Sequence, residues 1–124
     1  MQSKVDHLKL NYKIWLETSE QVGVLGDNKI RLLKAIDDTG SLNEAMKHLG
    51  LTYRKTWNNL RKIEDELGFT LIHPIRGGAD GGHTDLTKEG KILIEAFDKF
   101  HTEYDTIIRQ GFEKILQEMK QKIL

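Results

Sequence analysis

The predicted fold depends most on residues Gly40 to Gly68, GSLNEAMKHLGLTYRKTWNNLRKIEDELG. This stretch opens with a capping box, in which the Ser41 hydroxyl can accept from the Glu44 amide while the Glu44 carboxylate reaches back to the Ser41 amide. This box predicts a helix that begins at Leu42 and ends at Gly50. One face of this helix is apolar at three- and four-residue spacing, with Leu42, Ala45, Met46 and Leu49.

The second half of the stretch predicts another helix, capped by Thr52 and running to Gly68. Its inner side carries Thr56, Leu60, Ile63 and Leu67. Two helices joined by a turn of about 3 to 4 residues that contains Gly form a helix-turn-helix. We therefore predict a helix-turn-helix here.

The outer side of the second helix carries the side-chain types that read or grip DNA: Tyr53, Arg54, Lys55, Asn58, Asn59, Arg61 and Lys62. Arg pairs with guanine, Asn with adenine, and Lys or Tyr holds phosphate. From Ser41 to Lys62 five Lys and Arg residues face one acidic residue, a local charge of +4. The alternative is an ordinary surface helix of an all-helical domain.

Composition bounds the class of protein. The 124 residues, 38% hydrophobic and 31% charged with one Pro, predict one compact domain. The absence of Cys excludes disulfides and thiolate zinc sites. Because the sequence has no apolar run near 18 residues and no leader, we expect a cytoplasmic protein without a membrane partner. The net charge of zero predicts weak, salt-dependent DNA binding unless two copies act together.

The region before the helix-turn-helix predicts a hairpin and a bracing helix. Residues 8–16 alternate with period two, which is typical of a half-buried strand, and Val22 to Gly26 form a short returning strand. Asp27 or Asn28 then caps a helix that ends at Gly40.

The region after the helix-turn-helix predicts a second hairpin. Phe69 to His73 and Thr84 to Leu86 are strand-like and enclose a glycine-rich loop, which is the element order of a winged helix. The loop lacks the Lys-Ser/Thr ending of a phosphate-binding P-loop. Arg76 and His83 flank the loop and are candidate contacts to DNA phosphate.

From Thr87 the chain reads as one helix of about 35 residues with a stuttered, heptad-like apolar seam. A helix of this length needs a partner for its distal half, so we predict a homodimer. The predicted dimerisation residues are Phe97, Phe100, Tyr104, Ile108, Phe112, Ile115 and Met119. The alternative is a fold-back of the helix onto the strands, with a break at Gly111.

The predicted fold class is mainly α with a small β component. Within a single domain, the expected divisions are strands over 1–26, three helices over 27–68, the wing over 69–86 and the long helix over 87–124.

These residues carry a family resemblance. Gly40-Ser41-Leu42, the run from Leu49 to Trp57, the paired Gly-Gly steps of the loop, and Leu86-Thr87-x-x-Gly90 resemble the DNA-binding domain of the molybdate-responsive ModE regulators. The Leu86-Thr87-x-x-Gly90 ending is also similar to the winged helix of LysR-type regulators. The likeness covers roughly Leu25 to Phe100.

The resemblance implies a dimeric winged helix-turn-helix that regulates transcription from palindromic operators, with the helix from Thr52 in the major groove and Arg76 to His83 as the wing. We also expect this chain to lack the small-barrel modules in which longer family members bind molybdate. The candidate DNA-binding residues are Ser41, Thr52, Tyr53, Arg54, Lys55, Asn58, Asn59, Arg61, Lys62, Arg76 and His83.

We expect two partners, double-stranded DNA and a second copy of the chain, and leave a separate effector-sensing protein open. We expect no cofactor and no enzymatic activity, because the five His residues show no metal-ligand spacing. The competing hypothesis is a winged helix used as a protein–protein interaction module, which zero net charge favours.

Overall fold

Two short hairpins and three helices precede a long helix in the computed structural model, which describes residues 4–74 and 83–123. A 3₁₀ turn at Lys4–His7 comes first. The strands and helices then follow as β1 Trp15–Glu17, β2 Gly23–Gly26, α1 Asp27–Thr39, α2 Leu42–Leu49, α3 Tyr53–Leu67, β3 Ile72–Pro74, β4 Thr84–Leu86 and α4 Lys88–Ile123. The predicted fold class is confirmed.

The predicted helices α1 to α3 end where glycine permits a left-handed backbone. Gly40, Gly50 and Gly68 have φ of 68°, 66° and 80°, and each N–H donates to a carbonyl of the preceding helix. The helices bury one face each in a common core. Its largest fully buried side chains are Leu25, Leu32, Leu33, Ile36, Leu60 and Leu71.

The predicted wing hairpin is confirmed. Strands β3 and β4 pair antiparallel, with Ile72 opposite Leu86 and Pro74 opposite Thr84. Thr87 caps α4, because its hydroxyl accepts from the Gly90 amide at 3.0 Å while donating to the Thr70 carbonyl at 2.8 Å. The loop with Arg76 lies outside the described residues.

The predicted strand over residues 8–16 is wrong for most of its length. Only Trp15–Glu17 pairs, with Gly23–Gly26, and a bulge interrupts the register between Leu16 and Glu17. Residues 8–13 form no strand and lie beside the distal half of α4 instead, where Leu8 and Leu10 line a groove with Phe112 and Leu116. The period-two pattern gives only the order of apolar and polar residues, so it does not distinguish a paired strand from a segment that packs on a helix.

The cap predicted for α1 is also wrong. The helix begins at Asp27, and the N-cap position is Gly26, without a side-chain cap. The Asp27 carboxylate accepts from the Ile14 amide at 2.9 Å instead, while the Asp27 amide donates to the Ile14 carbonyl at 3.0 Å. These bonds attach the chain before β1 to the start of α1.

The chain divides into two compact units, residues 14–97 and residues 1–13 with 98–124. Unit 14–97 contains the helix-turn-helix and both hairpins. In the other unit, the Tyr12 hydroxyl donates to the Asp105 carboxylate, and His101 Nδ1 lies 2.7 Å from the same Asp105 oxygen. The N-terminal segment is thereby fixed to α4 by polar contacts. Helix α4 runs through Gly111 without the break that a fold-back requires. Among the described residues, no helix combines the length and apolarity needed to cross a membrane.

Candidate nucleic-acid interface

Helix α3 presents a polar outer side because its inner side belongs to the core. Thr56, Leu60 and Ile63 are buried at three- and four-residue spacing. The exposed residues of its outer side are Tyr53, Arg54, Lys55, Asn58, Arg61 and Lys62, and Asn59 is half-buried at the flank. The structure thus brings together the predicted α3 residues on one accessible side.

Thr52 occupies the N-cap position of α3 but makes no side-chain cap hydrogen bond. Its predicted capping role is therefore wrong, and its exposed hydroxyl is available to a ligand. The turn before it is held by backbone bonds, since the Leu51 amide donates to the Met46 carbonyl at 2.9 Å. These bonds fix where α3 starts relative to α2.

Trp57 lies on α3 between the polar side and the core. It is half-buried and packs against the hydrophobic core cluster. The Arg61 guanidinium lies 5.6 Å from the centroid of its ring, within the range of a cation–π contact. Trp57 therefore packs in the fold and supports the position of Arg61.

Ser41 is engaged in the fold as the N-cap of α2. Its hydroxyl accepts from the Glu44 amide at 3.2 Å, which confirms half of the predicted capping box. The other half is wrong, because the Ser41 amide donates to the Thr39 hydroxyl at 3.2 Å and the Glu44 carboxylate pairs with Lys47 at 3.6 Å. Ser41 is half-buried at the start of α2.

The base of the wing is attached to the turn between α1 and α2. The Thr84 amide donates to the Gly40 carbonyl at 2.8 Å, and the Leu42 amide donates to the Thr84 hydroxyl at 3.2 Å. His83 is exposed, with its Nε2 atom 2.9 Å from the Asp85 carboxylate. His83 is therefore paired with an acidic neighbour that a DNA phosphate would have to displace.

The predicted dimerisation residues on α4 do not share one environment. Phe97 is 6% exposed in the core of unit 14–97, so its assignment to an intermolecular seam is wrong. Phe100, Ile108 and Met119 are half-buried. Phe112 lines a groove with the N-terminal segment.

Two of the predicted dimerisation residues, Tyr104 and Ile115, are 45% and 54% exposed. Ile107 belongs to the apolar seam predicted from the sequence but not to the predicted dimerisation residues; it lies one turn from Tyr104 and is 61% exposed. We call Tyr104, Ile107 and Ile115 the outer seam. They recur from the middle of α4 onward, at spacings that place them along one side of the helix.

A helix-turn-helix with an exposed polar second helix, followed directly by a two-stranded hairpin, defines the winged helix-turn-helix class of DNA-binding modules. Residues 28–91 match a protein-family model, that of the bacterial regulatory helix-turn-helix proteins of the lysR family. The chain belongs to this LysR family, which is one of DNA-binding transcription regulators rather than enzymes.

Two curated relatives support the resemblance to the ModE regulators. The chain is 31% identical over 91 residues to the molybdenum transport protein ModE of Azotobacter vinelandii, covering 73% of this chain and 34% of that protein. It is 31% identical over 70 residues to the DNA-binding transcriptional dual regulator ModE of Escherichia coli K12, covering 56% of this chain and 27% of that protein. The predicted homology to the DNA-binding region of ModE is thus confirmed. The chain spans about a third of the length of the curated relatives it matches.

One solved structure shows the same fold. The BenM DNA-binding domain, in a crystal structure with benA site 1 DNA, has a TM-score of 0.51 and 20% identity, covering 71% of this chain and 92% of that one. At that identity the likeness shows the fold alone.

Proposed function

We propose that the chain acts in the cytoplasm as a homodimeric, sequence-specific transcription regulator that binds inverted-repeat operator DNA. The observation that carries the proposal is the exposed side of α3, where Arg54, Asn58 and Arg61 are accessible together. Arg and Asn side chains discriminate bases through the edges that the major groove exposes. The proposal assigns base reading to Arg54 and Asn58, and backbone contacts to Tyr53, Lys55 and Lys62.

Dimer formation is proposed from the outer seam. Tyr104, Ile107 and Ile115 expose apolar surface on a 36-residue helix, and a second copy of the same helix provides a self-complementary cover. Two copies place two recognition helices in successive major grooves, about 34 to 36 Å apart. Doubling the α3 contacts also compensates for the zero net charge of a single chain.

The test is selection of random DNA duplexes by the purified chain, followed by sequencing, at a low and a high salt concentration. We expect an inverted repeat whose half-sites are centred about 10 base pairs apart, enriched most strongly at low salt. Uniform enrichment, or no binding at either salt concentration, would overturn the proposal.

The second candidate is a protein–protein interaction module that uses the outer seam as its binding surface. The exposure of Ile107 and Ile115 favours it as much as it favours a homodimer. The two candidates differ in salt dependence, since phosphate contacts weaken steeply with salt while apolar contacts do not.

A further inference from the structure

A basic cleft lies beside the recognition helix, between the start of α1, the turn before α3 and one side of α3. Its volume is about 350 Å³. Lys29 and Arg31 enter it from α1, and Lys55 and Asn59 enter it from α3. Neither Lys29 nor Arg31 was identified from the sequence as a binding residue, because two basic residues near the start of a helix carry no motif. Only the tertiary fold brings them to the same cleft as Lys55.

The charged side chains that line this cleft are all positive. Three cationic side chains line it, and none of its described lining residues is acidic. Within residues 4–74 and 83–123, Lys29, Arg31 and Lys55 form no ion pair. The nearest acidic residue in sequence, Asp27, has its carboxylate engaged by the Ile14 amide. The cleft therefore holds uncompensated positive charge.

The position of Lys29 in this cleft affects its protonation. Burial, and secondarily the positive charge of Lys55, lowers the pKa of the Lys29 ammonium from its ordinary value. A bound anion would favour the charged form of Lys29, so binding should be accompanied by a rise of this pKa. Thr52 and Asn59 add neutral hydrogen-bonding groups to the same cleft.

We propose that the cleft of Lys29, Arg31 and Lys55 binds a phosphate-type oxyanion, and that its source is a phosphodiester of the operator backbone beside the major groove that α3 enters. The assignment rests on the proposed DNA-binding function and adds contacts from α1 to it. Lys55 follows Arg54 directly on α3, so the cleft adjoins the base-reading side of the helix. Contacts of this kind fix the orientation of a recognition helix without reading sequence.

The first test compares DNA binding by Lys29→Gln, Arg31→Gln and the double variant, with Lys91→Gln as a control that removes one exposed charge from α4. For each lost phosphate contact, the slope of log Kd against log salt should decrease by about 0.9. The double variant should bind its operator about tenfold more weakly at low salt, as expected for lost charge-assisted bonds to phosphate. The preference for operator over random DNA should stay unchanged, because phosphate contacts carry no sequence information.

Slopes and affinities equal to those of Lys91→Gln would overturn the proposal. If wild-type protein enriches no operator at all, the proposed function itself fails. If wild-type protein binds an operator and the double variant keeps the wild-type slope, only the cleft assignment fails. Arg31→Gln changes an exposed side chain, so it preserves the test if the double variant does not fold.

The second test identifies the source of the oxyanion. Operator duplexes with one neutral methylphosphonate at a time should show a position in each half-site where wild-type protein loses affinity and the double variant does not. DNA-free protein is also titrated with inorganic phosphate at constant ionic strength, and NMR of the Lys29 side chain monitors the titration. Saturable phosphate binding that the double variant loses, with no sensitive position in the duplex, would assign the cleft to a free oxyanion and overturn the DNA source.

Discussion

The carboxylate of Glu64 accepts a hydrogen bond from the backbone amide of Leu71, with 2.6 Å between Oε2 and the nitrogen. The same oxygen lies 3.3 Å from the Ile72 amide. Glu64 belongs to the last turns of α3, and Ile72 opens the first strand of the wing. One side chain thus links the recognition helix to the hairpin that follows it.

Replacing Glu64 should therefore loosen the attachment of α3 to the wing. Hydrogen bonds to charged groups contribute about 1.5–3 kcal/mol, so we expect Glu64→Ala to lower the free energy of unfolding by about 2 kcal/mol. Urea denaturation followed by circular dichroism measures the change. Glu66→Ala, at an exposed position on the same helix, should change it by less than about 0.5 kcal/mol. Equal effects of the two substitutions would refute the assigned role of Glu64.

A close approach between α4 and the chain before β3 makes Gly90 irreplaceable. A Cβ atom at this position would lie 2.6 Å from the Leu71 carbonyl oxygen. Gly90→Ala should lower the free energy of unfolding by about 1–3 kcal/mol, the usual range for overpacking. Gly111 has no neighbour within 4 Å of such an atom, so Gly111→Ala should raise helix stability by about 1 kcal/mol. Thermal denaturation of both variants measures the two changes in stability. A Gly90→Ala protein as stable as wild type would contradict the role assigned to Gly90.

The Leu86-Thr87-x-x-Gly90 pattern that carried the family resemblance thus has a physical basis. Thr87 caps α4, and the missing side chain of Gly90 admits the Leu71 carbonyl. The sequence predicted the helix-turn-helix because capping residues, glycines and apolar spacing all act locally. It could not distinguish a paired strand from a segment that packs beside α4, nor place Phe97 in the core, because both depend on contacts distant in sequence. The cleft at Lys29 and Arg31 was unpredictable for the same reason.

The contact of Tyr12 with Asp105 should appear in the pH dependence of stability. Two hydrogen bonds lower the pKa of the Asp105 carboxyl, chiefly the one from Tyr12 and then the one from His101. Burial raises this pKa, and the charges of His101 and Arg109 lower it further. The unfolded chain binds this proton more readily than the folded chain does. The lowered pKa therefore stabilises the fold at pH values above the ordinary carboxyl pKa, and this contribution is lost as pH falls through the lowered value. Tyr12→Phe removes the largest cause, so the pKa of Asp105 should rise.

Carbon-detected NMR titration of the Asp105 carboxyl measures this change directly. Tyr104→Phe is the matched control, because the same hydroxyl is removed at an exposed position on α4. If the pKa of Asp105 moves equally in both variants, the hydrogen bond from Tyr12 is not its cause.

The proposed dimer depends on the outer seam. Replacing Ile107 and Ile115 together by Gln removes apolar surface from both copies, and burial of one such side chain contributes about 1.5–3 kcal/mol. We expect the dimer dissociation constant to rise at least about a hundredfold. Sedimentation equilibrium measures it, with Ile92→Gln as the control because Ile92 is 51% exposed on α4 outside the seam. A double variant that associates like wild type would exclude the seam as the dimer contact.

Arg54 is proposed to read DNA from α3. Its role is tested by the affinity of Arg54→Ala for the selected operator and for duplexes with single base-pair changes, measured by fluorescence anisotropy at fixed salt. We predict that Arg54→Ala binds the operator about 1–3 kcal/mol more weakly than wild type and loses its preference at one base pair in each half-site. Lys91→Ala should retain both the affinity and the preference. An Arg54→Ala protein with unchanged affinity and unchanged base preference would show that α3 does not read DNA through Arg54.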